Sequence, residues 1–403
     1  MLQSNYPYID INLGLMIFPA RNPDKEHQVL ILPLIDLLSP LVKQLLILTG
    51  NLYINLPYNN VKVFNVKAPV IRVDKRNESV PSKISRFLRA QYTLCLILIQ
   101  KCNKVNIIIC YLSPGLLTLP IFLSRILGKK VVIITTGSGS QSLRQTYPGW
   151  RGAILAGIAR GFEDIEYRLA NNIIVYSEAL IPVLGLKRFA GQSGLGKNKG
   201  KILIAHEHSI DFDNFNIRNR LNERENVVGY IGRLSQEKGV MNFLEAIPII
   251  LGRQKDLKFI IVGDGHLRQE IERYLNEEKL TDKVKLIKFV PHEEVSNYLN
   301  ELKLLLLPSY TEGLPNIMLE SMACGTPVLA TEVGGIPDFI ADGECGFIME
   351  SNSPDYIARN VIRVLDDSRL EQVAFNAYNL VKREFTRDQA LKGYRDILME
   401  LSA

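Results

Sequence analysis

Two rhythms alternate along this chain. Short, nearly uncharged runs rich in leucine and β-branched side chains are separated by longer stretches whose apolar residues recur every three or four positions. In the first half these runs are "KQLLILTG" (Lys43–Gly50), "NIIICY" (Asn106–Tyr111), "KKVVIITTG" (Lys129–Gly137) and "NNIIVYS" (Asn171–Ser177). Alternating apolar and polar positions would leave one strand face in water. Continuous apolar runs instead predict strands covered on both faces, as in a parallel sheet between helices. The second half repeats the rhythm with "NVVGYIGRL" (Asn226–Leu234), "LKFIIVGDG" (Leu257–Gly265), "KVKLIKFV" (Lys283–Val290), "KLLLLPSY" (Lys303–Tyr310) and "TPVLATEVGG" (Thr326–Gly335), each separated from the next by a helical pattern. The expected fold class is α/β, with two Rossmann-like doubly wound domains.

The length of 403 residues is enough for two cores. "GQSGLGKNKG" (Gly191–Gly200) reads as a mobile loop of the first domain. Asp211–Glu225, polar and without apolar periodicity, reads as the linker region. The boundary is placed there, giving domains over 1–215 and 216–385 and a last helical segment over 386–403. The longest uncharged stretch, "VNIIICYLSPGLLTLPIFLS" (Val105–Ser124), could span a bilayer by length. Its central Ser113-Pro114-Gly115 predicts a buried strand, a turn and a helix instead.

A hydrophobic content of 47% with 22% charged residues excludes disordered and collagen-like chains. The five cysteines, Cys95, Cys102, Cys110, Cys324 and Cys345, form no CxxC and have no histidines at zinc spacing, so they read as reduced thiols of a cytoplasmic protein. The opening "MLQSNYPYIDINLGLMIFPA" carries Asp10 and no basic leader, so secretion is not indicated. The net charge of +6 conceals an asymmetry: residues 1–205 hold 25 Lys+Arg against 10 Asp+Glu, and the remainder 23 against 32. A basic first half is either a scattered solvated surface or the mark of an anionic partner: a membrane surface, nucleic acid or an acidic substrate. Nucleic acid is set aside because the basic residues are not interleaved with aromatics and no binding module is present.

The densest chemistry lies in "PSYTEGLPNIMLESMACGTPVLATEVGGIPDFI" (Pro308–Ile340). Pro315 is expected at the first position of a helix, so the backbone N–H groups from Gly313 to Ile317, those of Leu314 and Asn316 among them, face outward and suit an anion. Glu312 precedes that helix and Glu320 lies inside it. Carboxylates accept hydrogen bonds from paired hydroxyls such as those of a sugar or a ribose. A phosphate at a helix start flanked by two such acids describes a nucleotide-sugar. Two further loops fall at the carboxyl ends of strands, where ligands of open α/β sheets bind. "GRLSQEKG" (Gly232–Gly239) carries Arg233 and Lys238, two cations suited to a diphosphate. "VGDG" (Val262–Gly265) offers a tight turn at Gly263 and Gly265.

In their order and spacing, "GRLSQEKG", "VGDG", "EGLPNIMLE" and "MACGTPVLATEVGGIPDFI" resemble the nucleotide-binding domain of the group 1 glycosyltransferases, also called family four. More loosely, "SEAL" (Ser177–Leu180) and "HSIDFDNF" (His208–Phe215) resemble that family's end-of-domain pattern. The resemblance implies the GT-B fold, two domains facing each other across a cleft, with an acceptor-side domain first and a donor-binding domain second. It further implies that the last helix returns to the first domain. Arg233 and Lys238 would hold the donor diphosphate, Glu312 would contact the donor sugar and Glu320 the ribose, with the base near Phe289 and Val290. The implied reaction is retaining, metal-independent glycosyl transfer to a glycan or lipid-linked acceptor, with no cofactor beyond the donor itself. Because the first domain would take the acceptor in this architecture, its basic charge is the reason to expect a cytoplasmic protein peripheral to the inner, anionic membrane face. Two positions depart from the family pattern. "MIFPARNPDKEH" (Met16–His27) lacks the usual glycine-rich loop, and Thr136-Gly137-Ser138-Gly139 stands where the family often has His-Gly. Thr136 and Gly137 thereby become the candidates for that histidine's place. A non-catalytic sugar-nucleotide-binding relative and a nucleotide-sugar epimerase of the same fold are the rival readings.

Overall fold

The computed structural model describes residues 7–18, 26–52, 56–66, 80–111, 115–146, 149–189 and 200–402. The chain divides into two compact units, residues 1–207 with 390–403, and residues 208–389.

The first unit is built on seven parallel strands: β1 (Ile9–Ile17), β2 (Val42–Gly50), β3 (Val61–Val66), β4 (Ile107–Tyr111), β5 (Lys130–Thr135), β6 (Asn172–Val175) and β7 (Ile202–Ile204). Their order in the sheet is β3-β2-β1-β4-β5-β6-β7. The four apolar runs of the first half are β2, β4, β5 and β6. Every residue of β4 is buried, as expected of a central strand covered by helices on both faces. Val105–Ser124 resolves into β4 and the start of a helix over Thr118–Ile126, with its central 112–114 outside the described residues. No described helix is long and apolar enough to cross a membrane. The loop expected at Gly191–Gly200 also lies, up to residue 199, outside the described residues, as does 19–25 of the stretch after β1.

The second unit carries six parallel strands: β8 (Val227–Ile231), β9 (Lys258–Val262), β10 (Val284–Ile287), β11 (Leu304–Leu307), β12 (Val328–Thr331) and β13 (Phe347–Met349). Their order is β10-β9-β8-β11-β12-β13. Counted from β8, this is the 3-2-1-4-5-6 order of a dinucleotide-binding sheet, whose direction of winding reverses between β8 and β11. The core joins Val228, Tyr230, Phe243, Phe259 and Leu306 to helix residues such as Ile357 and Val361.

The unit begins at His208, ahead of the expected boundary at 215/216. The polar segment before β8 is packed rather than linking. Phe215 and Leu221 are buried. The Arg224 guanidinium, also buried, donates to Leu302 O (2.9 Å), Thr326 Oγ1 (2.6 Å), Cys324 O (2.8 Å) and Asn219 O (3.0 Å). At the other end the unit stops at Gln389, while residues 390–403 belong to the first unit, where Lys130 Nζ donates to Leu401 O (2.7 Å).

Candidate functional site

The loops after β8 and β11 leave the sheet at its point of reversal, where a bound ligand meets the carboxyl ends of both strands. These two loops are the segments carrying Arg233, Lys238 and Glu312. Lys238 Nζ lies 2.7 Å from Glu312 Oε1, which also accepts from Ser309 Oγ at 2.7 Å. Glu312 is only 8% exposed at its side chain and Lys238 24%. The loops are joined by backbone as well: Tyr310 N donates to Glu237 O (2.9 Å). Gly239, at φ +66, presses so closely on Pro308 O that a Cβ would overlap it. Arg233 reaches outward at 69% side-chain exposure, within 3.5 Å of Glu237 Oε1. Its backbone is held from below, since buried Tyr230 donates its hydroxyl to Arg233 O at 2.6 Å.

The glycine pairs have a packing role. Gly263 sits at φ +150 against Gly232 O, and Gly265 sits against Leu234 O; a Cβ on either would overlap the carbonyl. The turn after β9 therefore supports the backbone of the Arg233 loop. In the same way Gly334, at φ +62, abuts Glu312 O, and Gly335 N donates to Gly313 O at 2.7 Å. The Gly-Gly pair that follows the second glutamate thus shapes the turn that carries the first.

One sequence expectation needs correction. The helix runs Asn316–Ala323, with Pro315 as its extended N-cap (φ −75, ψ 121) rather than its first helical residue. Pro315 O already accepts from Met318 N at 3.1 Å, so the outward N–H groups of the first turn belong to Asn316 and Ile317. Leu314 is buried.

Glu320, 8% exposed at its side chain, has a partner that sequence spacing does not reveal: His292 Nε2 lies 2.8 Å from Glu320 Oε1. The hydrogen bond to Glu320 raises the His292 pKa above its ordinary value. The imidazole ring packs 5.2 Å, centroid to centroid, from Phe215. His292 opens the helix after β10, just beyond Phe289 and Val290, and Phe289 is 77% exposed in that loop. A second histidine, His208, is bonded to the Leu314 backbone, and burial lowers its pKa to about 4, so it stays neutral. Thr136 and Gly137 lie in the first unit, beyond β5, where Thr135 Oγ1 donates to Gly137 O at 3.1 Å. Among the described residues no three His, Cys, Asp or Glu side chains are grouped to hold a metal ion.

Two parallel-sheet α/β domains, the second with cations and acids gathered at its switch point, define a fold of the GT-B type. Residues 211–379 match the model of the glycosyl transferases group 1, and this domain belongs to that family. The chain is 34% identical over 176 residues to the alpha-D-kanosaminyltransferase of Streptomyces kanamyceticus, a match covering 42% of this chain and 46% of that protein. It is 28% identical over 239 residues to the capsular polysaccharide biosynthesis glycosyltransferase CapM of Staphylococcus aureus, covering 56% and 60%. These alignments span about half the length of the curated relatives. Among solved structures, Anabaena HepE, crystallised in complex with UDP, superposes with a TM-score of 0.69 over 96% of this chain and 99% of its own, at 17% identity. That likeness reports the shared fold.

Proposed function

We propose that the protein transfers a sugar, with retention, from a nucleotide-diphosphate sugar to a glycan or lipid-linked acceptor in the synthesis of a polysaccharide or glycoconjugate. The observation that carries this reading is the Lys238–Glu312 pair at the reversal of the β8–β13 sheet, with Arg233 beside it on the same loop. A diphosphate needs cations at that point, and the loop after β8 supplies both, braced by its backbone bond to the loop after β11. The names of the curated relatives, a kanosaminyltransferase and a capsular polysaccharide glycosyltransferase, and the UDP bound by HepE, support the same class of donor and product.

In this reading Lys238 and Arg233 neutralise the charge that builds on the departing diphosphate as its bond to the sugar breaks. The N–H groups of Asn316 and Ile317, at the start of an eight-residue helix, add a favourable dipole for a phosphate. Glu312, oriented by Ser309 and Lys238, accepts from sugar hydroxyls, and Glu320, oriented by His292, accepts from the ribose. Gly313, Leu314 and Pro315 shape the turn between them. Phe289 and Val290 lie beside His292 and bound the base. The leaving phosphate oxygen takes the acceptor proton on the face it departs from, so no protein nucleophile is required. The test is product analysis: incubation with a panel of α-linked UDP, GDP and ADP sugars and glycan or lipid-linked acceptors, with the new linkage read by NMR. An α-linked product supports the proposal. A β-linked product rejects retention, and interconversion of the donor sugar without any acceptor would favour an epimerase.

A further inference from the structure

Three neighbouring helices of the first unit present an apolar surface to water. The helix over Thr118–Ile126 packs between those over Val80–Lys101 and Trp150–Leu169. Two buried polar side chains hold the three together. Gln91 Oε1 accepts from Leu119 N (2.8 Å), while Glu166 accepts from Leu117 N (2.8 Å), Thr118 Oγ1 (2.9 Å) and Gly115 N (2.8 Å). Fixed side by side in this way, each helix turns one stripe outward. On the first, Leu88, Tyr92, Leu96 and Ile99 recur at helical spacing and are exposed. The short middle helix adds Leu119, Phe122 and Ile126. Along the third, Trp150, Ile154, Ile158 and Phe162 follow one another at every fourth position, with Trp150 at 70% exposure. Isolated surface leucines are ordinary, but a continuous set over three adjacent helices marks a docking face.

The charges select what docks there. The first two helices contain no acidic residue. On the third, Glu163 and Glu166 are buried and Asp164 is paired with Arg160 and Arg188. Arg89, Arg125, Arg151 and Arg168, by contrast, are exposed on the same helices. Among the described residues, the face is therefore apolar and cationic with no exposed acid. A second copy of the chain would oppose like charges across a two-fold interface. An anionic lipid surface satisfies both features, offering headgroups to the arginines and acyl chain to the apolar stripes.

We propose that this three-helix face docks on an anionic bilayer surface, lying on it without crossing it. The proposal concerns a surface of the first unit and does not depend on the transfer reaction. Trp150, the single tryptophan of the chain, reports directly on docking. The full-length protein is titrated with vesicles of phosphatidylglycerol mixed with phosphatidylcholine and with phosphatidylcholine alone, following Trp150 emission and co-sedimentation. The expected result is a blue shift and co-sedimentation with the mixed vesicles, weaker with phosphatidylcholine alone and reduced by salt. Ile154→Asp/Ile158→Asp should lower vesicle partition on the order of tenfold or more. Phe122→Asp on the neighbouring helix should act in the same direction, and both variants should keep the wild-type melting temperature. The proposal is overturned if Trp150 emission stays at its aqueous position with the mixed vesicles. It is equally overturned if both variants bind as wild type, or if the blue shift appears on concentrating the protein alone together with a doubling of its mass in sedimentation.

Discussion

Replacing Lys238 by methionine keeps the apolar stem but removes the cation 2.7 Å from Glu312. The carboxylate, 8% exposed, is then left with the Ser309 hydroxyl as its described partner. Removing one member of a fully buried ion pair costs about 3–5 kcal/mol, because the survivor keeps its desolvation penalty. Lys238 is 24% exposed, so water reaches the site and screens part of that cost. The expected loss is about 2 kcal/mol, which lowers the melting temperature of a unit of this size by roughly 4–8 °C. Adding Glu312→Gln neutralises the orphaned charge and should recover most of the stability. Ligand binding should behave differently. A charged hydrogen bond to phosphate is worth about 1.5–3 kcal/mol, so the affinity for a nucleoside diphosphate falls roughly ten- to hundredfold in the single variant. It stays low in the double variant, which still lacks the cation. Calorimetric melting and titration with the tightest of UDP, GDP and ADP read the two quantities separately. Wild-type melting of Lys238→Met, or recovery of diphosphate affinity in the double variant, would refute the reasoning.

Other consequences are more local. Glu320→Gln should raise the donor KM about tenfold with kcat little changed, because it weakens a ribose contact made equally in ground and transition states; an equal fall in kcat would contradict that role. His292→Ala removes a group whose folded pKa lies above its unfolded one. The stability supplied by its pairing with Glu320 is fully present below pH about 6.5 and is lost as pH rises through the raised value. The melting deficit of the variant should thus be larger at pH 6 than at pH 9, and equal deficits would exclude the pairing. Gly263→Ala, at φ +150 and against Gly232 O, should cost about 1–3 kcal/mol and raise donor KM by disturbing the Arg233 loop; urea unfolding at the wild-type midpoint would remove that explanation. Exhaustive chelation should leave the transfer rate unchanged, and restoration of lost activity by added magnesium or manganese would show that the neutralising role is not held by Arg233 and Lys238 alone.

The strands most legible in the sequence are those buried on both faces. "NIIICY" and "KLLLLPSY" need no partner to be recognised, because helix-covered parallel strands are apolar throughout. Of the strands that escape notice, β1 lies inside the first sheet, while β3, β7 and β13 lie at sheet edges. β3 carries Lys62 and Asn65 within six residues, and β7 and β13 are three residues each, too short for any period to show. The segment 211–225 looks like a linker because its anchoring is polar: Arg224 is satisfied by carbonyls and a hydroxyl that come from residues far along the chain. The loops bearing Arg233, Lys238 and Glu312 could be placed at strand ends from sequence. Their pairing across 74 residues could not, nor could that of His292 with Glu320 across 28. A histidine just after a strand end and next to a proline was the available signal, but nothing in the sequence says which acid it faces. The glycine pairs were visible as turn residues. Their service to neighbouring loops, Gly263 under Gly232 and Gly334 under Glu312, appears only once the backbones are brought together.

The central claim is that the second unit holds a nucleotide-diphosphate sugar through the loops after β8 and β11. A thermal-shift comparison of the wild-type chain and Arg233→Ala against UDP, GDP, ADP and their sugar conjugates tests it most directly, since a ligand that binds only the folded state must raise the melting temperature. At a hundred times its dissociation constant the right donor should add about 2.7 kcal/mol, or roughly 5–10 °C, for the wild type and much less for Arg233→Ala. No rise with any of these ligands, or an equal rise in the variant, would contradict the account.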